Sequence, residues 1–276
     1  MAKQPHLLVS DGDLHDVALV PGDPGRVDRI ADRCDEARVV AENREYRSVN
    51  ATYEGTDLSI VSTGIGCPSA AIALEELANV GVETVIRVGT CGALQAALAI
   101  GDMIVATGAA KEEGTSKRYE SATYPAVPDY RTLDALVAAA EAGESATAAG
   151  LTTAADGGSD TATNKTGGAD STGADSTGAV HVGPIVSDDA FYNETDEYVD
   201  DWETANLLAI EMEAAALFSL ARRRGLAAGA ICTVDGNLVA GTQKGADSDE
   251  ELPAVARNNI ARAIDIALDA TTRLAE

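Results

Sequence analysis

Lysine is nearly missing from this chain: Lys3, Lys111, Lys117, Lys165 and Lys244 are the only five in 276 residues, set against 45 acidic residues and a formal net charge of −25. That balance excludes a surface made to hold nucleic acid or an anionic membrane, because both would be repelled. Cysteine is sparse too. Cys34, Cys67, Cys91 and Cys232 form no CxxC pair and have no histidine near them at metal spacing, which argues against a zinc module or a disulfide framework and for small buried thiols in a reducing compartment. No stretch approaches the roughly eighteen apolar residues of a membrane span. The opening MAKQPHLLVS has neither the apolar core nor the cleavage site of a secretory leader, so a cytoplasmic protein is expected. The GxGxxG and Walker patterns are also absent, which disfavours dinucleotide or ATP binding through such loops.

The acidic excess runs along the whole chain while arginine is retained, and in this it resembles proteins of organisms that keep molar salt in the cytosol. At molar salt the Debye length is about 3 Å, so mutual repulsion is largely screened. On that reading the acidity is fitted to the solvent rather than to a ligand. With 45% hydrophobic residues there is ample material for a packed core.

Short β-branched runs read as buried strands at 17–20, 58–62, 84–88, 102–107, 181–186 and 228–234. Helical patterns lie between several of them. The alternation predicts an α/β fold around a largely buried mixed sheet. Ser69–Val80, started by a serine and stopped at Gly81, reads as a helix, as do 24–31, 211–224 and about 253–274. In the last of these Ile260, Ile264, Ala267, Leu268 and Thr271 share one face. Between 144 and 179 the chain is Ala, Gly, Ser, Thr and Asp, with GADST occurring twice in succession. Such a segment has too little to bury to offset the entropy of ordering itself. It is expected to be a disordered insertion within one domain spanning 1–276.

The chemistry is carried at strand ends. VPGDPGR at 20–26 follows a strand with a glycine-rich turn and places Arg26 one turn into a helix, a form that suits an anion. RVGTCGAL at 87–94 repeats the theme with Arg87 and Thr90, and STGIGCPS at 62–69 adds a third glycine-rich stretch. In open α/β sheets ligands sit at the carboxyl ends of strands. Fourth comes AIEMEAAALF at 209–218, in which Glu211 and Glu213 interrupt an apolar segment. Buried carboxylates need partners, and two sugar hydroxyls would serve one of them; a solvated helix start would also place them there.

Taken in order, VPGDPGR, STGIGCPSAAIALEEL, IRVGTCGA and EMEAA resemble the purine nucleoside and uridine phosphorylase family, over nearly the whole chain except the insertion. The resemblance implies a central mixed sheet partly closed into a barrel and flanked by helices, in hexamers built from dimers. It implies phosphorolysis of a ribonucleoside to free base and ribose 1-phosphate, with inorganic phosphate as co-substrate and no cofactor. Phosphate would be held by Gly22, Arg26, Arg87 and Thr90, with Arg44 of ENREY reaching in from a neighbouring subunit. Met212 and Glu213 would hold the ribose, and His6 of QPHLL would contact its 5′ end from the same neighbour. Arg87 and Asp235 are the expected catalytic residues.

The base is where the pattern departs. Phe191 stands in the base loop, but the places where uridine phosphorylases carry a glutamine and an arginine hold Thr195 and Glu197. Purine phosphorylases use an aspartate in a TVSDH-like stretch; TVDGN has Asp235 one position early and Gly236 at the expected place. A carboxylate facing the base would suit guanine, whose N1–H and amino group are adjacent donors. The opening of the chain is closer to uridine phosphorylases, so uridine and guanosine or inosine both stay open. Some relatives hold a monovalent cation at the dimer interface, and Glu45, Ile65 and Ser69 occupy matching places for K⁺. Two other activities remain: a nucleosidase using water, which would generally lack the PGDPxR loop, and a non-catalytic nucleoside-binding relative.

Overall fold

In the computed structural model, residues 3–144, 152–153, 178–242 and 254–275 are described. These residues form a mixed sheet with helices on both faces. Strands β1 (Val17–Pro21), β4 (Thr56–Val61), β5 (Thr84–Ala93) and β10 (Ala227–Asn237) run parallel, with β1 between β4 and β5 and β10 beside β5. From β5 the sheet turns back on itself. β10 pairs with β6 (Met103–Lys111), β6 with β8 (Val180–Ser187), β8 with β9 (Ala209–Glu211), and β9 returns to β5. This ring of five strands is the expected barrel, and β1, β4, β3 (Tyr46–Tyr53) and β2 (Glu36–Asn43) extend from it as an open arm.

Strand periodicity decides which helix covers which face. In β1, Ala18 and Val20 point to one core, with α2 (Cys67–Asn79) and α6 (Ala214–Arg224) supplying Leu74, Leu77, Leu217, Phe218 and Leu220. Leu19 points the other way, to a core shared with α1 (Pro24–Ala31), α4 (Tyr130–Glu144) and α7 (Ala254–Ala275). The stripe expected on the last helix is correct: Ile260, Ile264, Ala267, Leu268 and Thr271 are all buried.

Several boundaries differ from expectation. α2 starts at Cys67 rather than Ser69, after Gly66 at φ +86° and with Pro68 in its first turn, where a proline costs no hydrogen bond. Ser69 is engaged elsewhere, its Oγ 2.6 Å from the Thr63 carbonyl. The stretch 211–224 is not one helix: Glu211 ends β9, Glu213 stands at the N-cap of α6, and the helix begins at Ala214. The 87–94 stretch is not a loop but the second half of β5, kept extended because β10 pairs with it from Ala227↔Thr84 to Asn237↔Ala93. The β2–β3 hairpin, α3 (Ser116–Tyr119) and α5 (Asp196–Thr204) were not anticipated. Most of the expected insertion at 144–179 lies outside the described residues; within it Thr152–Thr153 form β7, paired with His181 and Val182.

Candidate active site

Three chain segments meet at the carboxyl ends of β4, β1 and β5. The Thr63 amide donates to the Pro21 carbonyl at 2.9 Å and the Gly64 amide to the Gly22 carbonyl at 3.0 Å. The loop after β4 is thereby fastened to the loop after β1. Asp23 caps α1 by accepting from the Gly25 amide at 3.0 Å. One turn later Arg26 is buried, its Nη1 3.4 Å from the Val88 carbonyl of β5. Thr90, half-buried, lies two residues further along β5.

Arg87 is the centre. It is 4% exposed and lies between two buried carboxylates: its Nε donates to Glu211 Oε2 at 2.8 Å and its Nη2 pairs with Glu213 Oε2. Burial works against the charge, but Glu213 and Glu211 more than compensate and hold the guanidinium protonated. Gly89 makes the geometry possible. A Cβ there would stand 2.8 Å from Arg87 Nη2 and 2.9 Å from Cζ, so the guanidinium folds back over a strand position that only glycine leaves open.

Glu213 receives the Gly66 amide on its other oxygen, which ties the β9–α6 turn to the loop after β4. Burial raises its carboxyl pKa and the neighbouring Glu211 adds to the rise, against the pull of Arg87. Glu211, 3% exposed, accepts from Arg87, from Ser187 Oγ and from the amides of Glu213 and Ala214. Two positively inclined amides at the start of α6 and one guanidinium thus share two carboxylates. Met212 between them is half-buried.

Asp235 lies at an irregularity in β10: Val234 pairs with Cys91 and Gly236 with Gly92, so Asp235 is the extra residue of a bulge. Asp235, Glu211, burial and above all the Cys232 thiol push the Cys91 thiol up, which places all four groups in one neighbourhood. In the loop between β8 and α5 Phe191 is half-buried, with the 90% exposed Tyr192 against it at 4.9 Å between ring centroids. Thr195 caps α5 by accepting from the Tyr198 amide at 3.3 Å, and Glu197 is exposed in its first turn.

Two more of the expected residues lie close together. His6 Nδ1 is 2.6 Å from Glu76 Oε1, and its carbonyl accepts from Asn43 Nδ2 at 2.8 Å. Arg44, next in the chain, is exposed at the tip of the β2–β3 hairpin with φ +57°. His6 and Arg44 thus stand side by side, and Glu45, next to Arg44, packs against the loop after β4, where a Cβ on Gly64 would be 2.7 Å from its Cγ. Glu45 is bonded to Ser69 at 3.1 Å, with burial outweighed by hydrogen bonds and Arg44 so that its carboxyl is lowered; Ile65 is 79% exposed. Among the described residues no group of three or more His, Cys, Asp and Glu side chains could hold a metal ion, and no helix is long and apolar enough to cross a membrane.

Glu211 and Ser187 belong to the cluster around Arg87 although neither is among the expected site residues. The signal for Glu211 was present, since two carboxylates two residues apart follow the strand period rather than the helical one. Ser187 gave none.

Comparison with known proteins agrees with this geometry. The family model described as phosphorylase superfamily matches residues 16–272, and the chain belongs to that family. It is 65% identical over 274 residues, 99% of this chain and 100% of the relative, to a guanosine phosphorylase of Halorubrum lacusprofundi. A uridine phosphorylase of Thermococcus kodakarensis is 39% identical over 86% of this chain and 78% of its own. The purine nucleoside phosphorylase of Toxoplasma gondii superposes with a TM-score of 0.81 at 27% identity, covering 100% of this chain and 98% of that one. The protein is a nucleoside phosphorylase, a pentosyltransferase that uses phosphate to cleave the glycosidic bond.

Proposed function

We propose that the preferred substrate is guanosine, cleaved by phosphate to guanine and ribose 1-phosphate. The observation that carries this reading is the full-length 65% identity to a guanosine phosphorylase, joined to a base loop without the uracil-gripping pair. In place of glutamine and arginine stand Thr195, whose hydroxyl is used in a helix cap, and the carboxylate of Glu197. Carboxylates near the base suit adjacent N–H donors, and those belong to guanine rather than uracil.

Phosphate lies against the Gly22 loop, Arg26, Arg87 and Thr90. The guanidiniums fix the dianion close to C1′ and orient it for attack. Glu213 takes the 2′- and 3′-hydroxyls with Met212 beside the sugar, and its carboxylate faces the positive charge that develops as the glycosidic bond lengthens. Asp235, at the bulge, faces the departing base. Arg44 and His6 complete the phosphate and 5′ subsites of a neighbouring subunit; their proximity to each other supports a joint contribution across a dimer, within a hexamer. Ser69, Glu45 and Ile65 form a K⁺ position at that interface. The enzyme is cytoplasmic and works in concentrated salt.

The test is phosphorolysis of guanosine, inosine, adenosine and uridine in high salt, with and without phosphate. Guanosine should give the largest kcat/KM, and base release should depend on phosphate. Faster cleavage of uridine, or equal release in water alone, would overturn the reading.

A further inference from the structure

We infer that Ser187 is a positioning residue for this reaction: its hydroxyl fixes Glu211, and Glu211 fixes the plane of the Arg87 guanidinium. This rests on the reading that Arg87 holds phosphate. Ser187 ends β8 opposite Glu211 of β9 in parallel register and is 0% exposed. Its Oγ accepts from the Ala215 amide at 2.9 Å and lies against Glu211 Oε1. An amide can only donate and a carboxylate can only accept, so the direction of the hydroxyl proton is forced: it goes to Glu211.

The consequence falls on Arg87. Glu211 Oε2 is occupied by Arg87 Nε at 2.8 Å and by the Glu213 amide at 2.9 Å, with the Ala214 amide shared between the two oxygens at 3.0 Å. The Ser187 hydroxyl is the donor that belongs to Oε1 alone. Held at both oxygens, the carboxylate cannot rotate about its last bond. Without Ser187 only the shared Ala214 amide at 3.0 Å stays on Oε1, so the carboxylate is held less tightly and Arg87, whose Nε is bonded to Oε2, is aimed less well. Ser187 touches no reacting atom, so its effect is confined to how well the guanidinium is aimed.

The experiment compares Ser187→Ala, Ser187→Thr and Arg87→Lys by initial rates with phosphate and guanosine varied separately, each protein first checked by thermal melting. Ser187→Ala should raise KM for phosphate about tenfold, the scale on which one misaimed charged contact acts, while KM for guanosine changes less than about threefold on that same scale. Ser187→Thr, which keeps the hydroxyl, should restore most of the loss. A folded Ser187→Ala protein with unchanged KM for phosphate, or with both KM values raised equally, overturns the inference. If Ser187→Ala fails to fold, Glu211→Gln with phosphate KM unchanged overturns it instead. Arg87→Lys separates the two ideas: unaltered phosphate kinetics there sink the phosphate role of Arg87 itself, whereas a large effect there beside a silent Ser187→Ala sinks only the positioning role.

Discussion

Arg87 Nε and Glu211 Oε2 are 2.8 Å apart, brought together from the middle of β5 and the end of β9, with less than 5% of either residue exposed. A second carboxylate, Glu213, takes the far side of the same guanidinium. One cation between two buried anions leaves that trio net negative, with the Glu213 and Ala214 amides at the start of α6 donated to Glu211; the proposed phosphate dianion needs further positive potential, to which Arg26 would contribute.

Removing the cation should therefore damage both stability and reaction. Arg87→Ala leaves two carboxylates buried without their partner, a loss of about 3–5 kcal/mol, and should lower kcat/KM by about a thousandfold, near 4 kcal/mol. Denaturant melts and steady-state rates on the same preparation check both. Near-normal phosphorolysis would remove Arg87 from the chemistry.

Gly89 offers a cleaner probe of the same group. An added methyl at 2.8 Å from Arg87 Nη2 forces the guanidinium aside, while the strand pairing beside Cys232 needs no glycine. Gly89→Ala should lose about a hundredfold in kcat/KM, near 3 kcal/mol, with a melting temperature lowered less than in Arg87→Ala, because the cation is displaced from Glu211 and Glu213 but not removed. A fully active variant would mean the guanidinium is not held where the structure has it.

Glu213 should set the acid side of the pH profile. Burial raises its carboxyl above the ordinary carboxylate range, and only the ionised form accepts hydrogen bonds from two hydroxyls. Activity should fall as pH drops through that raised value. Glu213→Gln should remove this limb and raise KM for the nucleoside more than for phosphate. A limb that persists in the glutamine variant assigns it to another group.

Asp102 carries a linkage of opposite sign. Burial alone would raise its carboxyl, but the His181 ring at 3.0 Å and the amides of Ala99 and Ala179 outweigh burial and lower it. A carboxyl lowered on folding adds stability above its unfolded pKa, and that stability is lost as pH falls through the folded value. Asp102→Asn should cost about 1–2 kcal/mol at neutral pH, with the difference from the parent shrinking in acid. A constant difference across the range would exclude the linkage.

The net charge of −25 should appear as salt dependence. Molar KCl shortens the Debye length to about 3 Å and screens the repulsion among carboxylates, so the melting temperature should climb steadily from dilute buffer to molar salt. A flat curve would separate the acidic surface from adaptation to salt.

Which parts were legible can be traced residue by residue. β1 and β8 could be read because a strand inside the sheet is a short run of apolar, β-branched residues, and the buried face of α7 because a helix that buries one side repeats at a fixed period. The β2–β3 hairpin could not: Glu36–Asn43 is largely exposed along its length, so no alternation marks it. The break between Glu211 and Ala214 was hidden for a different reason. EMEAAALF has good local helix propensity, and it is the Arg87 and Ser187 contacts, distant in the chain, that hold Glu211 extended.

By itself the sequence determined the alternation of strands and helices, the acidic surface, and the four ordered motifs that place Arg26, Arg87, Thr90 and Glu213 in one family of phosphorylases, since all of these depend on local pattern and composition. Only the tertiary structure decided that Glu211 is the hub of the cluster around Arg87, that Ser187 is bonded to it, that Asp235 sits on a bulge, and that His6 and Arg44 stand together. Those facts depend on strand register and on which buried charges find each other. Neighbouring residues in the chain do not encode register; the closing of β5, β9, β8, β6 and β10 into one ring does.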